Sequence, residues 1–406
     1  RTGTVDWQTG SIKTSTFTAV NGEGYFANTS AGAFNMNLPA GSAGAIVSVV
    51  DYTNTFQTYA LTVVPNGSEK IGGVAANVAL STQGQSVTFV YVDANEGWKN
   101  VQDSTSNVIG ASFITATVSG SCNTLTPDGN YQVAKFVNPG TFCVSAIANC
   151  AANNLVSYVV VGGGGGAGEC RAGGGGGGGF REVVSPSAPY TGSPLDGYST
   201  PGNRITVSAS PYPIGVGGGG AGSTSRTSAG TSGVNSTFDT ITAAGGGGGA
   251  SDGSPAGTPG GSGGAGANSG PKGNGNDPAT TPAQGFDGGC STSGYTGSGG
   301  GGATAVGTTA GPQPVPGPGG AGATTNIIGS PVAYAGGGGG GGFDPGSPGG
   351  TGGTGGGGNG TIPGSSTGGA GTISTGGGGG GNGGPVGCGV GGAGGSGIVI
   401  IRYRYQ

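Results

Sequence analysis

Of 406 residues, 107 are Gly and 24 are Pro, together about three times the usual share. Charge is sparse: 12 Lys+Arg against 16 Asp+Glu give a net −4, only 7% of residues are charged, and His is absent. These figures exclude one ordinary globular core, a long helical architecture, a basic nucleic-acid-binding patch and every His-based catalytic or metal site.

The chain opens at Arg1 without an initiator Met, as expected of a processed product or a fragment. Residues 1–110 read as all-β. Phe34, Met36 and Leu38 alternate with Asn35 and Asn37, the period of a half-buried strand. Further strands are expected over 11–20, 45–51, 60–64, 74–80 and 86–92. Turn chemistry separates them at Asn21-Gly22, Pro39-Ala40-Gly41, Pro65-Asn66-Gly67, Gln83-Gly84 and Asn95-Glu96-Gly97. Short strands punctuated in this way indicate a sandwich or barrel. Trp7 and Trp98 read as packing anchors.

Residues 111–157 read as a second, smaller β unit. Strands are expected over 113–118, 131–137 and 141–147, with turns at Pro127-Asp128-Gly129-Asn130 and Asn138-Pro139-Gly140.

The composition then breaks. Residues 1–160 hold 16 of the glycines and residues 161–406 hold 91. Runs of four or more start at 162, 173, 217, 245, 299, 336, 355 and 376. Several share a β-like entry: Tyr158-Val-Val-Val before Gly162, Ile241-Thr-Ala-Ala before Gly245, Val332-Ala-Tyr-Ala before Gly336, and Ile373-Ser-Thr before Gly376. Apolar β-branched stretches, 155–161 and 398–405, bracket the whole region. Both are far shorter than the ~20 residues of a membrane span, so no membrane insertion is expected. A flexible linker needs neither repeated entries nor a terminal strand. The sharper expectation is a bundle of extended three-fold helices of the polyproline II type, built from Gly and bonded to one another through their backbones. Ordering so many Gly costs on the order of 100 kcal/mol, so only a cooperative stack clamped by the end strands orders. The expected fold class is therefore all-β plus polyglycine-type helices: β-sandwich-like units at 1–110 and 111–157, then a glycine-rich helix bundle at 158–406.

Chemistry-bearing motifs are few. No Gly-x-x-x-x-Gly-Lys-Ser/Thr occurs, and Gly-x-Gly-x-x-Gly arises by chance at this Gly content. Carboxylates such as Asp51, Asp93 and Glu96 leave a two-acid glycosidase conceivable, with turn chemistry as the plainer reading. The six Cys (122, 143, 150, 170, 290 and 388) form no Cys-x-x-Cys. Pairing among the first three would staple the small β unit; pairing among the last three would tie loops of the glycine bundle; free thiols fit a reducing compartment. No catalytic residue, cofactor or metal is expected. A Gly lattice offers no side chains, so recognition falls to the polar loops and their isolated aromatics: Tyr190, Tyr198, Tyr212, Phe286, Tyr295, Tyr334 and Phe343.

Val5-Asp6-Trp7-Gln8, Phe17-Thr-Ala-Val-Asn-Gly-Glu-Gly-Tyr25-Phe26, Asn37-Leu38-Pro39-Ala40 and Phe89-Val-Tyr-Val-Asp93 with Gly97-Trp98 resemble the β domain of tailed-phage tail fibres. The stretch from Tyr158-Val-Val-Val-Gly-Gly-Gly-Gly-Gly to Gly397-Ile-Val-Ile-Ile-Arg-Tyr resembles the glycine-rich domain at tail-fibre ends. It is similar in kind to the tip adhesins of T-even-like phages. The resemblance implies a non-enzymatic virion protein, extracellular on the tail. It would be a homotrimer, joined to other tail proteins and contacting a host receptor, a glycan or an outer-membrane protein, with no nucleic acid bound. A secreted glycine-rich filament and a polysaccharide-degrading fibre remain as alternatives.

Overall fold

A computed structural model describes residues 5–104, 111–292, 294–311, 315–343, 347–365, 367–384 and 387–406. The outer edges of the first expected domain, 1–4 and 105–110, lie outside the described residues. The chain divides into two units, Arg1–Gly110 and Ala111–Gln406.

The first unit contains β1 (Asp6–Trp7), β2 (Phe17–Thr18), β3 (Glu23–Ala27), β4 (Phe34–Asn37), β5 (Ile46–Asp51), β6 (Leu61–Val64), β7 (Val78–Leu80), β8 (Ser86–Asp93) and β9 (Gly97–Ser104). They form two sheets, ordered β1-β3-β5-β8-β9 and β2-β4-β6-β7. Successive strands alternate between the sheets, so neighbours within a sheet run parallel from β1 to β5 and from β2 to β6. Each short strand ends at a turn that carries the chain across the core instead of folding it back as a hairpin. Only β8–β9, β5–β8 and β6–β7 pair antiparallel. The inward residues come from both sheets: Tyr25, Val47, Val49 and Phe89 from one, Met36, Leu61 and Val63 from the other. Trp98 is fully buried among them, whereas Trp7 is 41% exposed and lies outside this core. Of the strand expected over 11–20, Phe17–Thr18 pairs within a sheet and Lys13 makes a single parallel bridge to Ala27.

The second unit begins with β10 (Thr115–Val118), β11 (Thr124–Asp128), β12 (Tyr131–Phe136) and β13 (Gly140–Ala146). It continues with β14 (Leu155–Val161), β15 (Phe180–Val183), β16 (Ile205–Thr206), β17 (Pro211–Gly215), β18 (Ser236–Phe238) and β19 (Ile241–Ala243). The hairpin β20 (Ala323–Thr325) and β21 (Val332–Tyr334) and the final strand β22 (Ile398–Arg404) complete it. The two bracketing stretches pair with each other, Val161 opposite Ile398 and Tyr158 opposite Ile401. Residues 111–157, set apart in the sequence reading, share both sheets with the glycine-rich region: β12 pairs β22, and β13 pairs β17. Their short strands lack enough apolar surface for a core of their own. Instead Phe136 and Phe142 pack with Tyr158, Phe238 and Tyr403.

The glycine runs adopt neither helix nor strand among the described residues. The bundle expected from composition is therefore not seen as helices; the only helical turns described are Ala151–Asn154 and Pro201–Asn203. The backbone bonds run between segments instead, with a period of three. Gly163 and Gly166 donate to the carbonyls of Val234 and Thr231, Gly164 and Ala167 to Gly395 and Gly392, and Gly165 and Gly168 to Gly176 and Gly173. The carbonyls of the same run residues accept in the same rhythm. Gly163 and Gly166 receive from Gly246 and Gly249, Gly164 and Ala167 from Gly220 and Ser223, and Gly165 and Gly168 from Gly379 and Asn382. The first run thus touches six segments, three antiparallel donors' targets and three parallel donors. This satisfies buried backbone groups that would otherwise be costly. At Gly164 only Gly fits: a Cβ there would sit 2.1 Å from the carbonyl oxygen of Gly377.

Candidate functional site

The connections between strands and runs give the glycine region two unlike ends. β14, β17, β19 and β21 lead into the runs that open at Gly162, Gly217, Gly245 and Gly336, and returning segments re-enter β15, β18 and β22. A seven-residue extended run covers about 22 Å, so loops at the far ends of the runs stand well away from the sheets. The loops around residues 170, 226, 252, 268, 294 and 343 meet there through side chains.

Asp252 organises that far end. Its carboxylate accepts from the guanidinium groups of both Arg171 and Arg226, and its carbonyl accepts from Asn268 Nδ2 at 3.1 Å. Burial pushes the Asp252 carboxyl up, but the bonds and charges of the two arginines outweigh it and hold the pKa below the ordinary 3.8. Arg171 also donates to the Gly294 carbonyl at 2.6 Å, and its guanidinium lies 5.9 Å from the centre of the Phe343 ring. Phe343 meets Tyr295 edge-on, with centroids 5.0 Å apart at 67°. Tyr295 is 47% exposed. Cys170, beside Arg171, is bonded to Cys388 across a sequence separation of 218. Cys170 and Arg171 both have left-handed backbones, φ 58° and 48°, a conformation that costs non-glycine residues about 1–2 kcal/mol each. The disulfide and the Arg171–Asp252 pair hold this turn in place. The arrangement offers an exposed aromatic edge, one half-exposed arginine and loop hydroxyls, all on a rigid base. That suits recognition of an external surface.

The seven aromatic residues singled out in the sequence separate into two groups. Tyr295 and Phe343 share the far end. Tyr190, Tyr198, Tyr212 and Tyr334 belong to the strand end and pack there. Tyr334 is 3% and Tyr212 9% exposed. Tyr190 donates to Glu182 Oε1 at 3.0 Å, and burial pushes its pKa well above 10.0. The Arg204 guanidinium covers the Tyr198 ring at 4.4 Å. Phe286 is 37% exposed, but its N–H binds the Gly302 carbonyl, toward the strand end of its run.

Of the carboxylates weighed for catalysis, Asp51 and Asp93 bind backbone N–H groups and Glu96 forms a surface ion pair. Asp51 is buried and accepts from the N–H groups of Thr55, Phe56 and Gly84, each at 3.0 Å. Asp93 closes its turn by accepting from Asn95 and Glu96 at 2.8 Å, and Glu96 pairs with Lys99 at 2.6 Å. Of the cysteines, pairing occurs within the later three, leaving Cys290 free; Cys122, Cys143 and Cys150 are also free. Among the described residues no cluster of metal-binding side chains occurs, and no helix is long and apolar enough to cross a membrane. Arg171, Arg226 and Asp252 went unremarked in the sequence. The available signal was their position: in a chain so poor in charge, Arg171 stands two residues before one glycine run, at Gly173, and Asp252 stands three residues after the end of another, at Gly249.

A search of curated proteins returns no match. The family model described as a glycine-rich domain matches residues 137–404, more than half of the chain. That span opens just before β13 and ends on the last residue of β22, and so includes both bracketing strands and all the runs. The chain therefore belongs to the glycine-rich domain family.

Proposed function

We propose that this protein is a structural virion component, a phage tail fibre that adheres to the host cell surface through loops at the far end of its glycine scaffold. The observation that supports this reading is the convergence of polar loops around Asp252, Tyr295 and Phe343 at the end of the runs away from the sheets. A scaffold without side chains has nothing to vary except its loops. Loops anchored on a rigid lattice keep their positions while their sequences change. In this reading the runs are polyglycine helices of the polyproline II type, supported by the three-residue rhythm of their bonds. The partner is a host receptor, either a glycan or an outer-membrane protein. The working form is a homotrimeric fibre outside the cell, joined to other tail proteins, and without enzymatic activity.

Antibodies raised against the chain should decorate the ends of tail fibres in electron micrographs of virions. Decoration of free filaments alone would overturn the reading in favour of a secreted glycine-rich filament. On such virions, Tyr295→Ala combined with Phe343→Ala should reduce adsorption while leaving the fold intact. Unchanged adsorption would move recognition away from the far-end loops.

A further inference from the structure

The first unit carries a second surface with ligand-binding chemistry, on the side of its five-stranded sheet that faces away from the core. The register places Gly24, Ser48, Thr88 and Gln102 in one row across β3, β5, β8 and β9. The next row on the same face is Phe26, Val50, Ser86 and Ser104. Trp7 pairs with Gly24 across β1 and β3, and its ring lies over that glycine: a Cβ there would stand 2.7 Å from Trp7 Cε3. The missing side chain is what lets the indole lie against the sheet. Trp7 then meets Phe26 at 5.3 Å, and Phe26 meets Tyr52 edge-on at 6.2 Å. Trp7 and Tyr52 remain 41% and 53% exposed.

Beside this aromatic rank lies a shallow trough of about 230 Å³. Trp7 forms one wall, Ser48, Val50, Thr88 and Ser86 lie across the floor, and Gln102 and Ser104 form the other side. The Ser48 and Thr88 hydroxyls are bonded to each other at 2.8 Å. Among the described residues, none lining the trough is charged. That lining selects among ligand classes. A nucleic acid or a sulfated or phosphorylated chain needs cations opposite its anions, and the described lining residues supply none. An apolar protein face would leave the polar groups of Ser86 and Gln102 facing it without partners. A neutral sugar fits both parts: its C–H face stacks on an aromatic ring while its hydroxyls bond to Ser, Thr and Gln side chains.

We propose that this outer sheet face is a binding site for a neutral saccharide chain, with Trp7 as the stacking wall and Gln102, Thr88 and Ser86 as the hydrogen-bonding floor. The site lies wholly within the first unit and does not depend on the far-end loops.

The test is titration of the full chain with cellohexaose, laminarihexaose, maltohexaose and a mannohexaose, with an oligogalacturonate as the charged control. Intrinsic fluorescence and calorimetry provide the readouts. Trp98 is fully buried, so a saturable spectral shift reports Trp7. At least one neutral hexasaccharide should bind. Trp7→Ala should weaken it about tenfold, the scale of one aromatic contact. Gln102→Ala should weaken it less, and Trp7→Phe should retain most of the affinity. All three should melt like the parent. Failure of every neutral sugar to bind, stronger binding of the galacturonate, or a Trp7→Ala variant with parental affinity would overturn the proposal. The double variant Tyr295→Ala/Phe343→Ala separates the two readings. Saccharide binding should survive it, whatever becomes of adhesion, and its loss there would place the sugar at the far end instead.

Discussion

The two units solve the same burial problem with opposite materials. The first fills its interior with side chains, such as Trp98, Phe89, Met36 and Leu61, between two sheets. The second fills the interior of its glycine region with backbone, each run bonded to its neighbours along its length. A side-chain core loses stability in proportion to the volume removed and adapts to conservative swaps. A backbone lattice has little spare volume, and at most positions in the runs an added side chain would meet a neighbouring carbonyl. The difference teaches that stability in the second unit lies in what the residues lack.

The sharpest way to break this contrast is to add a side chain. A Cβ on Gly176 would stand 2.2 Å from the Ser262 carbonyl oxygen, and one on Gly339 2.0 Å from that of Gly350. Neither neighbour can move without breaking its own bonds. Gly176→Val or Gly339→Val should cost more than about 4 kcal/mol and prevent folding of the second unit. Limited proteolysis should then digest residues 111–406 and spare the first unit. Unchanged resistance would refute the lattice. The converse substitution, Phe89→Ala in the first unit, should cost about 3–5 kcal/mol. It should lower only that unit's melting transition.

A smaller effect is expected from the far end. The Cys170–Cys388 bond closes the span between the first run and the last. Its removal by Cys170→Ser with Cys388→Ser should cost about 2–5 kcal/mol, read as a lower melting temperature of the second unit alone. The same shift should appear in the parent under reductant and be absent in the double variant.

The smallest effects concern charge, and two carboxylates should act with opposite sign. The Asp252 pKa is depressed, so its contribution to stability is present above the ordinary 3.8 and is lost as pH falls through the lowered value. Glu182 is 2% exposed, and burial raises its pKa above 4.5 despite bonds from Ser193, Thr325 and Tyr190. Its contribution is fully present below 4.5 and is lost as pH rises through the raised value. Asp252→Asn should therefore flatten the acid limb of the second unit's stability profile. Glu182→Gln should remove the decline on the other side. Melting scans across the acid range check both, and parallel profiles for parent and variants would contradict these assignments.

Much of the architecture was legible in the chain. Alternation at Phe34, Met36 and Leu38 is a strand, β4, and the bracket 155–161 with 398–405 is a strand pair to within one residue. Glycine runs with β-like entries announced segments that leave a sheet at Gly162, Gly245 and Gly336, whereas the entry Ile373-Ser-Thr before Gly376 is a turn with Ile373 exposed. Other features could not be read. Short strands with turns look alike whether the chain folds back or crosses to the opposite sheet, so the parallel order of β1, β3 and β5 was hidden. Trp7 reads like Trp98 by type alone. Its exposure follows from its place opposite Gly24, a pairing that exists only in the folded sheet. Tyr334 and Tyr295 also look equivalent as isolated aromatics, yet one enters a core and the other an exposed tip.

Composition and periodicity by themselves determined an all-β chain, an interior of glycine where side chains are excluded, and the absence of His chemistry. Tertiary structure decided which run lies beside which, which loops share an end, and that Cys170 meets Cys388 and Arg171 meets Asp252. The reason is physical. A glycine run carries no side-chain pattern, so nothing local distinguishes one run from another. Their order is set only when strand pairing at one end and closure of the backbone bonds along the lattice are satisfied together.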